Sequence, residues 1–292
     1  MRIATWNINS VRRRLDHVTA LLTRHDIDVL CLQETKCKDD QFPYLAFEEL
    51  GYQVAHVGYS QWNGVAIISR VGLEDVAHQF PGQPGFAKDP DAEQSVEARA
   101  VGATCGGVRV WSLYVPNGRE LHDRHYGYKL RWLAGLSHYV ERDVAEKTIF
   151  MGDFNVAPRD EDVWDVSYFV GRTHLSEPER AAFEDLQAAG LVEVTRPLQP
   201  EAYSYFDYQA GRWPKGEGMR IDFQLATPDL VATDVLFDLE ERATEGTSDH
   251  VPVIVDYAID AIVPAPAAPA VDSFAAPAEK SAVESVLPGT RA

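Results

Sequence analysis

The chain has 292 residues, 45% of them hydrophobic, and a formal charge of −18. That is enough for one large α/β domain or two small ones, and no run of about 18 apolar residues exists to span a membrane as a helix. The acidic balance argues against a broadly basic nucleic-acid binder, although net charge speaks to solubility and steering more than to any one cleft.

The elements read in order as alternating strands and helices. Arg2–Asn7 alternates as a strand and ends at a Trp-Asn pair. A Ser10 cap and an amphipathic helix follow, with Val11, Leu15, Val18, Leu21 and Leu22 facing inward. "DVLCLQE", Asp28–Glu34, is a buried strand. "YQVAHVG" and "GVAIISR" form a hairpin through Tyr59–Asn63. "VEARAVGATC" and "VRVWSLYVP" bracket Gly106-Gly107, a second hairpin signal. His122 to Arg142 is a long helix, with Tyr126, Leu130, Leu133, Leu136 and Val140 at helical spacing. The strand Thr148–Met151 runs into "GDFN", a helix lies near Pro178–Ala189, and strands follow at Tyr203–Tyr208, Met219–Leu225, Asp234–Leu239 and Val251–Ala258. Hairpins mixed with helical crossovers predict an α/β four-layer sandwich: two mixed β-sheets packed face to face, helices outside.

Residues 1–260 form the expected catalytic domain. Residues 261–292 are rich in Ala and Pro, carry no face-burying pattern, and read as a disordered tail. The tail carries Asp272, Glu279 and Glu284 against Lys280 and Arg291, a net of −1, so the body keeps −17. Cys31, Cys37 and Cys105 are odd in number without CxxC spacing, which argues against a disulfide framework or zinc knot. With no apolar leader at the N-terminus, a cytoplasmic location is expected.

Polar residues recur at strand ends: Asn7, Glu34, Tyr114, Asp153 with Asn155, and Ser248-Asp249-His250 before the last strand. In a sheet of mixed direction these ends can converge on one rim. Glu34, Asp153 and Asp249 are hard oxygen donors, Asn7 and Asn155 add neutral oxygens, and His250 stands beside them. Such a set suits Mg²⁺ or Mn²⁺ rather than Zn²⁺, and with a histidine and a tyrosine it suits phosphoryl chemistry. Asp222, an acid inside the apolar run "MRIDFQL", needs a buried partner, and a histidine is a natural one. Gly152 is expected to leave room for phosphate and metal, and Phe154 to turn into the core, so that Asp153 and Asn155 point the same way.

"WNINSVR", "LQETK", "YVPNG", "GDFNVAP", "RIDF" and "SDHVPV", in this order, resemble exonuclease III, the bacterial class II AP endonuclease, within the DNase I-like endonuclease/exonuclease/phosphatase superfamily. The resemblance runs from about Met1 to Tyr257. It implies a divalent metal, Mg²⁺ with Mn²⁺ able to substitute. It also implies cleavage 5′ to abasic sites in double-stranded DNA, with 3′→5′ exonuclease and 3′-phosphatase activity at duplex ends. By motif, Glu34 is the main metal ligand, with Asn7 and Asp249 nearby. Asp153 deprotonates or aims the water, Asn155 holds the water or the phosphate, and His250, held by Asp222, steadies phosphate charge. Tyr114 contacts the phosphate or helps the leaving oxygen. Asn117 and Arg119 fall where the family touches the DNA backbone, and Tyr205, Met219 and Ile221 where it takes the extruded abasic sugar. Met219 and Asn9 depart from the human relative, which has tryptophan and aspartate there.

On so acidic a body the expected DNA contact is a narrow basic track of Arg12, Arg119, Arg172, Lys215 and Arg220, on a chain acting as a monomer without membrane contact. Two other readings compete: another phosphoesterase of the same fold, against which "LQETK" and "RIDF" argue, and a catalytically silent homologue that keeps only binding. Glu34, Asp153, Asp222, Asp249 and His250 are all present, which argues against the silent one.

Overall fold

The computed structural model describes residues 1–259. The expected tail, and with it the domain boundary at residue 260, lies outside the described residues.

The apolar, β-branched runs form two six-stranded sheets. The first contains β1 (Arg2–Asn7), β2 (Val29–Gln33), β3 (Gln53–Val57), β4 (Val65–Ser69), β11 (Ala232–Phe237) and β12 (Val253–Tyr257), in the order β11-β12-β1-β2-β4-β3. The second contains β5 (Glu74–Ala77), β6 (Ala100–Cys105), β7 (Val108–Tyr114), β8 (Thr148–Asp153), β9 (Val192–Glu193) and β10 (Asp222–Ala226), in the order β5-β6-β7-β8-β10-β9.

Strand β2 shows why the sheets stack. Its residues are all buried and alternate between two cores. Val29 and Cys31 enter the core between the sheets, with Ile3, Val65, Val110, Ile149 and Met151. Leu30 and Leu32 face the other way, toward Val18, Leu21 and Leu22 of α1 (Leu15–Arg24) and Phe47 of α2 (Tyr44–Glu48). On the far side, Trp111, Phe150 and Phe223 pack against α3 (Arg124–Asp143) and α4 (Glu177–Ala188) through Trp132, Leu136, Phe183 and Leu186. Burying each such large side chain contributes roughly 1.5–3 kcal/mol. The four layers expected from sequence are present. Among the described residues no helix is long and apolar enough to cross a membrane.

Register builds the rim. At the centre of each sheet a parallel pair, β1·β2 and β7·β8, ends together: Asn7 lies opposite Gln33, and Tyr114 opposite Asp153. Strand β10 runs antiparallel to β8 and starts where β8 stops, with Asp222 opposite Asp153. Strand β12 starts beside β1, and the segment before it is tied to the same edge by Ser248 Oγ donating to the Asn7 carbonyl at 2.6 Å.

The structure corrects several local expectations. Ser10 makes no side-chain cap; a 3₁₀ turn, Val11–Arg13, precedes α1. The long helix starts at Arg124, where Asp123 caps it by accepting from the His125 N–H at 2.7 Å. Tyr203–Tyr208 is not a ladder strand and makes only isolated bridges, Tyr205 to Met219 and to His250. Asp222 opens β10 instead of sitting mid-strand, so the buried acid lies at the rim. Gly152, at φ +146°, is required by its neighbour: an added Cβ would collide with the Leu113 carbonyl of β7, not with space for a ligand. Phe154 is fully buried, as expected.

Candidate active site

The rim opens into a cleft of about 740 Å³ whose lining includes Asn9, Glu34, Lys36, Asn117, Arg119, Asp153, Asn155, Asp249 and His250. Its floor is a hydrogen-bonded chain. Asn7, fully buried at the end of β1, donates its amide to Glu34 Oε1 and to Asp153 Oδ2, each at 3.0 Å, while its Oδ1 accepts from the Asn9 N–H at 3.1 Å. Only that amide orientation satisfies both carboxylates. Asp153 Oδ1 accepts from the Asn155 N–H at 2.9 Å and Oδ2 from Asn155 Nδ2 at 3.1 Å, a local turn that holds Asn155 at φ 52°. Asn117 Nδ2 donates to Asn155 Oδ1 at 2.9 Å.

Next to this chain lies the acid–imidazole pair. His250 Nδ1 donates to Asp222 Oδ2 at 2.9 Å, and its Nε2 faces Asp153 Oδ2 at 3.8 Å. Ser204, also fully buried, donates to the same Asp222 oxygen at 2.7 Å and accepts from the backbone N–H of Ile221 and Asp222. Burial opposes a charged imidazole, yet Asp222 and Asp153 outweigh it and raise the His250 pKa. Burial also raises the Asp153 carboxyl; His250 opposes this, and Asp222 and Glu34 add to it. Glu34 goes the other way. Burial would raise it, but the Lys36 ammonium and hydrogen bonds from Lys36 and Asn7 hold it below the usual carboxylate range.

Among the described residues no three His, Cys, Asp or Glu side chains are grouped to hold an ion by themselves. Asn7 spaces two acids with its amide nitrogen and leaves a lone pair on Oδ1 beside the Asn9 N–H, and His250 is committed to Asp222 on one side and faces Asp153 on the other. The acids that remain are Glu34, whose Oε2 meets Lys36 Nζ at 2.7 Å, and Asp249, whose Oδ1 accepts from Asn9 Nδ2 at 3.1 Å. An ionised carboxylate with so few protein donors fits Mg²⁺, which keeps most of its waters. The cleft's charge fits a cation too. Its lining carries six acidic side chains (Glu34, Glu120, Asp153, Asp207, Glu217, Asp249) against Lys36, Arg119, Arg172, Arg212 and the His250 imidazolium.

The residues of the expected basic track fall in three places. Arg119 and Arg172 line the cleft; Arg12 and Lys215 are exposed and do not. Arg220 is no DNA contact. It is 1% exposed, donates to the carbonyls of Gln199 and Pro200 and to Thr195 Oγ1, and burial lowers its pKa to about 10. Tyr114 is not among the residues lining the cleft; the Arg99 guanidinium lies 4.7 Å from its ring centroid, and burial, then the Glu34 charge, raises its pKa. Tyr205, Met219 and Ile221 do line the cleft, and the Tyr205 ring lies 4.8 Å from that of His250.

Sequence reasoning missed Lys36, His174, Ser204 and an aromatic–guanidinium wall. In that wall Arg212 stacks on Trp164 at 4.4 Å and Tyr168 at 4.8 Å, and Arg172 stacks on Tyr168 at 4.2 Å. One signal for Lys36 was available: a lysine two places after the key acid in "LQETK". Backbone strain marks the site as well. Asn9, Glu34, Lys36, Arg119, Asn155 and His174 all have positive φ and all line the cleft.

Residues 4–250 match the endonuclease/exonuclease/phosphatase family model. The chain belongs to that family. Within it, the chain is 30% identical over 274 residues to exodeoxyribonuclease III of Haemophilus influenzae, covering 88% of this chain and all of the relative. It is also 30% identical to an exodeoxyribonuclease of Bacillus subtilis, covering 87% of this chain and 98% of the relative. A solved 3′ phosphatase from Neisseria, bound to a product DNA hairpin, superposes with a TM-score of 0.82 at 36% identity, covering 88% of this chain and 99% of that one. An AP endonuclease from Archaeoglobus fulgidus superposes with a TM-score of 0.81 at 34% identity, covering 89% and 100%. These similarities place the chain in the exonuclease III/AP endonuclease branch, as a hydrolytic nuclease of the DNA-repair type.

Proposed function

We propose that the protein is a Mg²⁺-dependent nuclease acting on double-stranded DNA. It hydrolyses the phosphodiester 5′ to abasic sites and removes nucleotides or blocking groups from 3′ ends. The observation that carries this is the buried Asp222–His250 pair facing Asp153 across the end of the β8·β10 ladder, beside an ionised Glu34. Relatives named for exonuclease, 3′-phosphatase and AP-endonuclease activities support both halves of the substrate range.

Each residue takes a role that its surroundings allow. Glu34, kept ionised, would hold the divalent ion, with Asp249 a further carboxylate in the cleft lining. Such an ion supplies charge neutralisation at the phosphate and lowers the pKa of nearby water. Asp153, held above the usual carboxylate range, is suited to accept the water's proton, and Asn155 fixes its direction through both carboxylate oxygens. His250, kept cationic by Asp222, contacts a phosphate oxygen and steadies the charge that builds in the pentavalent state. Tyr114, close enough to Glu34 and Asp153 for both to raise its pKa, contacts the phosphate or helps the leaving oxygen. Arg119, Asn117 and Arg172 hold the DNA backbone, and Tyr205, Met219 and Ile221 receive the sugar.

The test is a labelled duplex with one tetrahydrofuran site, beside an undamaged duplex with a recessed 3′ end, each with Mg²⁺ or with EDTA. Cutting of both only with Mg²⁺ is expected; no Mg²⁺-dependent cutting of either sinks the proposal.

A further inference from the structure

Helix α3 points Lys129 into the interior, where its side chain and that of Glu179 are both fully buried and paired. Neither residue belongs to the chemistry described above. A buried ion pair is weak ground for stability, because desolvation offsets its attraction, so its presence here asks for another reason.

The contacts supply one. Lys129 Nζ donates to the backbone carbonyl of Asn155 at 2.6 Å and to that of Asn117 at 3.2 Å. Thr173 Oγ1 donates to Glu179 Oε1 at 2.5 Å. Glu179 Oε2 accepts from the backbone N–H and hydroxyl of Ser176, closing the capping box at the start of α4. Three segments therefore meet at one ammonium–carboxylate pair: the loop after β7, the loop after β8 and the approach to α4. Those segments are the contorted ones. Gly118, Arg119, Asn155 and His174 have φ of 91°, 61°, 52° and 83°. For Arg119, Asn155 and His174, which carry a Cβ, left-handed backbone persists only where its surroundings fix it. A Cβ on Gly118 would lie 2.7 Å from Thr173 Oγ1 and 3.1 Å from Lys129 Cδ, so the seat is already full.

We propose that the Lys129–Glu179 pair is a positioning device for the nuclease centre: it pins the Asn117 and Asn155 carbonyls so that their side chains stay joined and Asn155 stays on Asp153. The inference rests on the nuclease reading above. Lys129 touches no substrate; it acts through the two asparagines. Without its grip the loops keep their places in the fold but lose the register that aims Asp153.

The variant K129M/E179Q removes both charges together, leaving neither buried alone. Its melting temperature, and kcat and KM on the recessed 3′-end duplex, are compared with those of the wild type. The expected result is a folded protein with KM within about threefold of wild type and kcat lower by about 100-fold, the scale of a misplacement near 1 Å. A folded double variant with wild-type kcat, or a loss confined to KM, overturns the proposal. Should the double variant not fold, T173V removes one anchor without stranding a charge. A several-fold loss in kcat at constant KM then supports the proposal, and an unchanged kcat overturns it. A wild type that cuts no DNA in the same assay refutes the nuclease reading instead, and the two failures are distinct.

Discussion

Asp222 shows how much one buried carboxylate can set. It is fully buried, one oxygen is shared by His250 and Ser204, and the other has no partner among the described residues. Such an acid is tolerated because an imidazolium balances it. Asp222→Asn should therefore weaken the hold on the His250 proton and lower kcat about 100-fold, with DNA affinity little changed. An unchanged kcat in steady-state kinetics would remove the electrostatic role given to His250. The arginines separate in the same way. Arg119→Ala and Arg172→Ala should each reduce the slope of log K against log salt by about 1, whereas Arg220→Met should leave that slope unchanged and lower stability instead. Titrating duplex binding across salt concentrations, with Ca²⁺ in place of Mg²⁺, distinguishes the two classes.

At the scale of elements, α3 couples folding to pH near the cleft. The Gly118 N–H donates to His125 Nδ1 at 3.1 Å, which requires that nitrogen to be unprotonated. Burial, then the charges of Arg99 and Arg119, lowers the His125 pKa to about 4. The unfolded chain takes up that proton near pH 6.5. Stability from this group is thus complete above about 6.5 and is lost as pH falls toward 4, roughly 3 kcal/mol in all. In urea unfolding, His125→Asn, which keeps an acceptor but cannot be protonated, should lose less stability than the wild type between pH 7 and 4.5. Equal losses would show that His125 is not the titrating group. Strand packing is less forgiving. Gly152→Ala forces a Cβ into the Leu113 carbonyl at a φ of +146° and should abolish folding or cut the melting temperature sharply, as read by thermal unfolding.

The molecule as a whole is acidic, and its cleft does not depart from that. Six acids line it against four lysine and arginine side chains and the His250 imidazolium, so the cleft offers a polyanion little net attraction until a cation is bound. Duplex affinity should be at least about tenfold weaker in EDTA than in Ca²⁺, and equal affinity would mean that a basic surface outside the cleft holds the DNA. The rim itself was legible in the sequence. Apolar runs that stop at Asn7, Gln33, Tyr114 and Asp153 announce strand ends, and mixed direction brings those ends to one edge. What stayed hidden depends on contacts across long stretches of chain. Lys129 looks like one more basic residue on an amphipathic helix until Glu179, 50 residues away, meets it. Arg220 looks like a DNA contact because a strand start carries no sign of which loop will cover it. The Ser204 hydroxyl is anonymous until β10 arrives beside it. Even so, "SEPE" before α4 shows the capping box that Glu179 completes.

The central claim is that Asp153 and His250 carry out chemistry on DNA, rather than merely shape a cleft that binds it. Single-turnover cleavage of the tetrahydrofuran duplex in Mg²⁺, beside Kd for the same duplex in Ca²⁺, tests it directly with Asp153→Asn and His250→Asn. Both variants should bind within about threefold of wild type and cut at least about 1,000-fold more slowly. A variant that cuts near the wild-type rate, or whose loss lies wholly in Kd, would contradict the account.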